Sequence, residues 1–513
     1  MKLSSKHGNE RTIEFNSFAG GLHTSTAQEM IAENELAACM NMEADSSTGL
    51  LKVVDGCDRV FTPPSGVTLQ AVIYDKINSV FLAVDTAHNV YTITLAADKP
   101  VLSAAIGTLT GTLFPVYIAW ENGIILASGG QLQYWNGTAL TTLANSPKLS
   151  TFVYAKNGRL ITNDLTSGNE SNLYFSATGD EETWADQSNV DSSGKWIEVG
   201  YKDGSKITAF MAMGQDLAVL KSNRCVYRLT GAYPNWAVDE VSRNVDCSGR
   251  QAWYVDGGNL YIMGAKEIQL LNTGQFYGDI KSQNVADKVS DKLGKATARM
   301  MFVPTLQQVW IPLNDRYILT FDVKLQAFYM RRLEAEDIAD VCCAGNDTWI
   351  VRPSSIAKIK KHRGYDMESK MQWRFLGKRM VNEMNNYLLK RGNVGITPYF
   401  DTLIEGNIRI GPITLALPTP FTAFRLYHNH SKLYHNRRKI CTANERTYNL
   451  YSYGYELYEN FDKLYHNHTP LYNAKVVAQG MRANCMTKTI TFGGTGSGCC
   501  FVINSINMLI AEV

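Results

Sequence analysis

The chain has almost no net charge: 50 Lys and Arg stand against 48 Asp and Glu, a formal +2 over 513 residues. That balance supplies no long-range field to collect nucleic acid or anionic lipid, so grip on DNA through phosphate contacts is not the expected role. Long apolar runs are missing as well. No stretch approaches the ~18 apolar residues of a membrane-spanning helix. The opening MKLSSKHGNER carries charge with no apolar run behind it, so a secretory leader is not expected either. The ten cysteines include two adjacent pairs, Cys342-Cys343 and Cys499-Cys500, but no C-x-x-C spacing, which predicts reduced thiols packed as small apolar side chains. Helical periodicity is scarce. One segment, Ala27 to Met42, places Met30, Ile31, Leu36, Ala37 and Met40 loosely at helical spacing and predicts a short helix.

What is present is a chain that can bury a core: 45% hydrophobic and 19% charged residues describe an ordinary folded protein. At its length it should divide into several domains unless one is a large repeat array. From about Phe61 the pattern is short runs of Val, Ile, Tyr, Phe and Thr broken by Gly, Asn and Asp, the signature of many short antiparallel strands. Val72 to Leu95 (VIYDKINSVFLAVDTAHNVYTITL) reads as three strands, and its shape returns at Val116 to Leu140. Further copies lie at Thr151 to Ala177, Ile207 to Gly231, Gln251 to Leu271, Ala298 to Met330 and Ile338 to Ile359. Each is a strand, a polar tip, an almost wholly apolar second strand, another tip and a third strand. A period of roughly 40 to 45 residues is that of propeller blades, which bury both faces only by stacking around an axis. The expected fold is therefore all-β: a β-propeller of about seven blades at residues 61–364, with a β-sandwich or platform built from an N-terminal arm (1–60) and C-terminal strands (365–513).

Beyond the propeller the composition changes. From Lys358 to Arg391 ten Lys or Arg stand against three acids. Lys360, Lys361, Arg363, Lys378 and Arg379 could present a basic surface to DNA or a partner; a solvated linker with charged strand faces would read the same way. Residues 425–473 hold nine of the 26 tyrosines and five of the nine histidines, with an internal repeat, RLYHNHSKLYHN at 425–436 and KLYHNHTPLYN at 463–473. Alternation puts Tyr427 and Asn429 on one strand face and His428 and His430 on the other, which predicts an extended Tyr-rich ribbon. Candidate tip or partner contacts there are Tyr427, His428, His430, Tyr434, Tyr453, Tyr455, Tyr465, His466 and His468, because Tyr supplies large contact area at low entropic cost. After the ribbon, strands are expected at Lys475 to Gln479, Met486 to Phe492 and Cys500 to Ala511, with residues 493–498 (GGTGSG) as a turn that closes a sandwich.

Chemical motifs are few. The two His-x-His pairs could surround a borderline metal on paired strands, but no Cys or carboxylate stands persuasively nearby and duplication of a surface ribbon gives the same pairs, so no metal is assigned. GGTGSGCC at 493–500 lacks the Lys-Ser/Thr and the helix start that a phosphate loop needs. There is no Gly-x-Ser-x-Gly elbow or His-Glu-x-x-His helix. No cofactor and no catalytic residue is assigned.

The segment Phe15 to Asp58, FNSFAGGLHTSTAQEMIAENELAACMNMEADSSTGLLKVVDGCD, resembles the opening of tail hub and nozzle proteins of short-tailed bacteriophages. Those open with Phe-x-Gly-Gly-Leu, a short acidic helix, an Asn, and a Gly-x-Leu strand ending in Gly. The matching positions are Phe18, Gly20, Gly21, Leu22, Glu35, Asn41, Gly49 and Gly56, with Glu33, Asn34 and Leu50 beside them. LYFSATGDEETW at 173–184, residues 207–231, VDCSG at 245–249 and the closing strands 489–511 look similar to the same family, while the Tyr/His ribbon has no counterpart in it. The resemblance implies a structural virion protein, not an enzyme, assembled in the host cytoplasm. It would be one subunit of a homo-hexameric ring with a DNA-conducting channel, docked to portal or adaptor and to fibre or spike proteins, without sequence-specific DNA contact or membrane insertion. A propeller glycan depolymerase and a receptor-binding tail-tip module are the alternatives.

Overall fold

The computed structural model describes residues 10–95, 100–184, 196–232, 235–272, 283–381, 387–399, 405–416, 481–498 and 500–512, and within 417–480 the backbone of short strands. It is all-β; its helical turns among the described residues are Asp287–Val289 and Ser290–Leu293. By internal contacts the chain forms two units. One is Arg59–Arg316 with Glu336–Lys358; the other is Met1–Asp58, Tyr317–Ala335 and Ile359–Val513.

The first unit is a β-propeller. Its repeats begin at the strands Leu69–Asp75, Val116–Trp120, Val153–Lys156, Ile207–Met213, Trp253–Asp256, Met301–Val303 and Asp340–Ala344, which makes seven blade positions. Five of them lie wholly within this unit as antiparallel meanders, and these carry a fourth, outer strand that the sequence pattern did not announce, such as Leu102–Thr108 beside Asn89–Ile93 and Ala237–Ser242 beside Val226–Thr230. Outer strands read poorly because they are half in water: Leu102–Thr108 buries none of its residues fully. Second strands read well because both their faces are covered. Gly123–Ala127, Arg159–Asn163 and Gln308–Pro312 are buried at every position, so alternation gives way to short apolar runs, GIILA in the first and the Leu160-Ile161 and Val309-Trp310-Ile311 centres of the others, with Arg159, Thr162, Asn163 and Gln308 as buried polar members.

Neighbouring blades are joined by aromatic side chains. The indole of Trp135 donates to the buried Asp75 carboxylate of the preceding blade at 3.1 Å. Phe152 meets Phe210 of the next blade at 5.1 Å between ring centres, and Tyr254 meets Phe302 at 4.8 Å. Phe81 of the first blade stands edge-on to Trp349 of the last at 5.1 Å, in a cluster with Leu69, Val72, Cys342 and Val351, so the ring of blades closes on itself.

The second unit is built around two large sheets. One centres on two 13-residue strands, Tyr387–Tyr399 and Cys500–Glu512, paired antiparallel, with Glu10–Phe15 and Leu51–Val53 along the outer side of Cys500–Glu512. The other runs Gly21–Leu22, Glu35–Met40, Gln372–Gly377, Phe492–Ser497, Glu405–Ile410, Ile413–Ala416. Their aromatic side chains meet: Phe15 on Phe492 at 4.2 Å and Trp373 edge-on to Phe501 at 5.0 Å.

Two expectations are corrected here. Residues 27–42 form no helix: turns lead to Glu35–Met40, a strand paired with Gln372–Gly377, which buries Leu36 and Cys39. The helical spacing was a coincidence: in the strand Glu35, Leu36 and Cys39 are buried across a register shift between Leu36 and Ala38, and the chain turns at Asn41, where φ is 53°. Gly493, Gly494 and Gly496 are not in a turn; only Gly498, a bend with φ +72°, follows the strand they belong to. Phe492–Ser497 is an inner strand paired on both sides, and the missing side chains make room for buried rings. A Cβ on Gly494 would come within 2.7 Å of Phe375 and 3.0 Å of Trp373, and one on Gly406 within 2.6 Å of Trp373. By internal contacts the hairpin Tyr317–Asp322/Ala327–Arg332 groups with the unit that contains the N-terminal arm.

Candidate functional site

The residues of the N-terminal pattern gather in the second unit, where each does a packing task. Phe18 is fully buried; its N–H donates to the Gly49 carbonyl at 2.8 Å and its own carbonyl accepts from the Tyr329 hydroxyl at 3.1 Å. Gly21 has φ +71° and lies so close to the Ala327-Phe328 backbone that a Cβ would stand 2.8 Å from the Phe328 oxygen. Gly20 abuts Asn34 and Glu35, Gly49 abuts Ser17, and a side chain on Gly56 would overlap the carbonyls of Arg363 and Tyr365. Leu22 is buried. Glu35, also buried, accepts from the Ala32 N–H at 2.7 Å and has His23 Nδ1 at 2.8 Å. Asn41 ties three segments together. Its N–H donates to the Met330 carbonyl at 2.8 Å, its Nδ2 to the Gln372 carbonyl at 2.7 Å, and its Oδ1 accepts from the Arg332 N–H at 2.7 Å. Each of these contacts is made within the unit itself.

The basic residues are placed in the same unit. Lys360 and Lys361 are exposed at the end of Ser355–Lys360, and Arg363 pairs with Asp58 at 2.9 Å and covers the Tyr365 ring. Lys378 is half-buried and Arg379 exposed just past Gln372–Gly377. Of the ribbon, Leu426–Asn429 pairs with Lys432–His435, which sets Tyr427 opposite Tyr434 and His428 opposite Leu433. Tyr465–His466 pairs in the same hairpin fashion with Thr469–Pro470. His430, His468, Tyr453 and Tyr455 lie outside the described residues.

Sequence reasoning missed a cavity of ≈390 Å³ in the propeller, lined by the first strands of the first, second, fifth, sixth and seventh blades. Its walls are Phe114, Tyr117, Trp253, Tyr254, Met301 and Phe302 among others, and its charges are Arg299 and Asp340. Arg299 donates to the Ala339 carbonyl at 2.7 Å and to Asp340 Oδ1 at 2.5 Å while its guanidinium lies 3.7 Å from the centre of the Phe114 ring. Asp340 also accepts from the Val72 N–H at 3.2 Å. Behind it Arg250 donates to the carbonyls of Phe114 and Thr151. Burial, reinforced by repulsion from Arg299, pushes the Arg250 guanidinium down to about 10, still charged at neutral pH. The two arginines thus lace five blade starts together. Each spends two hydrogen bonds on the protein, and the lining holds one carboxylate and no Ser, Cys or His. Two carboxylates flanking a glycosidic bond, the arrangement a hydrolase of that kind requires, are not formed there. The sequence signal was slight: an Arg just before two of the apolar first strands.

No family model matches the chain, and no curated protein matches it. Solved structures similar to it are propeller domains. The N-terminal domain of Nup159 is 10% identical, covering 63% of this chain and 98% of that one, with a TM-score of 0.41. The Neurospora crassa Pan2 WD40 domain is 6% identical over 61% and 96%, also at 0.41. The WD40 propeller domain of Doa1 is 12% identical over 60% and 97%, at 0.38. These likenesses concern the fold alone; the class of the protein, an all-β chain bearing a β-propeller, is carried by the sheet topology.

Proposed function

We propose that this protein is a structural subunit of a short bacteriophage tail, a hub or nozzle component. It would form a homo-hexameric ring around a DNA-conducting channel, retain packaged genome and present surface to fibres or spikes. The observation that carries this reading is the use made of the N-terminal pattern. Phe18, Gly20, Gly21, Glu35, Asn41, Gly49 and Gly56, on which the resemblance to that family rests, are consumed in bracing one platform. A pattern spent on a platform suits a part that bears load better than one that turns over a substrate. A near-neutral chain also suits a lumen that must let DNA slide, because each neutralised phosphate adds affinity that would stall exit. On this reading the protein works in the virion tail after assembly in the host cytoplasm, without enzymatic activity, between portal or adaptor and the attachment proteins.

The test is single-particle electron microscopy of the purified chain, alone and mixed with virion extract from the phage that encodes it. A symmetric ring with an opening wide enough for duplex DNA, which then docks into the tail, is the expected result. A persistent monomer that does not incorporate overturns the proposal.

A further inference from the structure

We infer that a second cleft of the propeller, between its third and fourth blades, binds a neutral oligosaccharide. The inference is independent of the tail reading. The cleft measures ≈640 Å³, within the size of small-molecule sites, and unlike the cavity at Arg299 it is polar. Its lining includes Trp196, Glu170, Glu198, Lys202 and Lys206, with the hydroxyl residues Ser171, Ser205 and Ser222. Two carboxylates against two ammonium groups leave no net charge, which disfavours a phosphate-bearing ligand and a metal cation alike. A neutral polyol suits it, since each sugar hydroxyl both donates and accepts.

Each carboxylate is held by one oxygen. Glu170 Oε2 accepts from the Gly168 N–H at 2.7 Å, and Glu198 Oε1 accepts from the Lys202 N–H at 3.0 Å. Among the described residues no protein donor is recorded for either second oxygen. Trp196 is 39% exposed, although an indole left in water is costly, and so presents an aromatic surface on which the apolar side of a sugar ring can lie. Behind this wall Lys221 is fully buried. Its ammonium donates to Ser171 Oγ at 3.2 Å, to Asp203 Oδ1 at 2.6 Å and to the Val199 carbonyl, while the Ser171 hydroxyl donates to the Ser205 carbonyl at 2.5 Å. The lining is therefore braced before any ligand arrives, which lowers the ordering cost of binding.

Calorimetric titration of the full chain with maltotriose, cellotriose and chitotriose, and with inorganic phosphate as the anionic comparator, tests this. At least one trisaccharide should bind with a Kd of roughly 10 µM to 1 mM. Trp196→Ala and Glu198→Gln should each weaken it about tenfold or more, the loss expected of one stacking surface or one charged hydrogen bond. Trp196 is exposed, so the unfolding midpoint of Trp196→Ala should stay put; should it fall, Glu170→Gln becomes the deciding variant. No heat with any of the three sugars, equal affinity in the variants, or tighter binding of phosphate overturns the inference.

Discussion

Asn41 Oδ1 accepts the Arg332 N–H at 2.7 Å while Asn41 itself stands at a φ of 53°. One side chain thus holds a hairpin from mid-chain, and through Nδ2 the Gln372 carbonyl, against the N-terminal arm. Asn is suited to this because it tolerates the left-handed region and carries both a donor and an acceptor. Asn41→Ala should cost about 3–5 kcal/mol, the sum of two buried groups short of a partner and a strained backbone. Asn41→Gly, which relieves the backbone and nothing else, should recover about 1 kcal/mol of that. Urea unfolding of the three proteins checks it; equal stability of the Gly variant and the parent would show that the hydrogen bonds contribute nothing.

Gly494 faces the buried rings of Phe375 and Trp373, which are 1% and 0% exposed. Gly494→Ala should destabilise by about 1–3 kcal/mol, the usual cost of forcing a methyl group into a packed core. Near-ultraviolet circular dichroism should lose intensity as the rings are displaced. Adding Phe375→Leu to the Ala variant should return part of the stability by vacating the space; no recovery would place the strain elsewhere.

The propeller was legible from the second strands, since burial on both faces writes a continuous apolar run such as GIILA at 123–127. The platform was less so. Its sheets join residues from opposite ends of the chain, Glu10–Phe15 with Cys500–Glu512 for instance, and no local pattern encodes such a pairing. GGTGSG read as a turn because glycine favours turns; only the rings packed against it explain why glycine stands in a strand. Arg250 and Arg299 were invisible as a pair because they stand at the starts of two consecutive blades and meet only when those blades pack, with Gln251 bridging Arg299. The cleft at Trp196 was missed for the same reason, as its lining comes from residues 168 to 222, spread over two blades.

The Arg299–Asp340 pair makes a pH-dependent prediction. Both side chains are largely buried, and burial pushes the Asp340 carboxyl up against the pull of Arg299 and the backbone N–H groups of Val341 and Val72. Arg299→Met would remove that pull and leave a buried carboxylate unpaired, at a cost of about 3–5 kcal/mol at neutral pH. Because the folded form then holds its proton more tightly than the unfolded form, the deficit should shrink as pH falls from 7 toward 4. Asp340→Asn in the Met background should abolish the pH dependence and restore part of the stability. Thermal melts across that range read the outcome, and a deficit constant with pH would argue that Asp340 is not the source.

Asp45 predicts the opposite sign. Its carboxylate caps a turn, accepting from the Ser47 and Thr48 N–H groups at 3.0 and 3.1 Å and from both hydroxyls, and Lys52 lies 3.8 Å away. Burial opposes the charge, but the hydrogen bonds from Ser47, with Lys52 and Thr48, outweigh it and hold the group down at about 2. A carboxyl depressed in the folded state contributes stability that is complete above its unfolded value near 4 and disappears as pH falls through about 2. The side chain is 34% exposed, so solvent screening reduces the contribution to about 1 kcal/mol. Asp45→Asn should therefore be less stable than the parent at pH 6 and match it by pH 2, if the chain remains folded in moderate salt. A gap that persists unchanged to pH 2 would mean that the turn is held by shape rather than by charge.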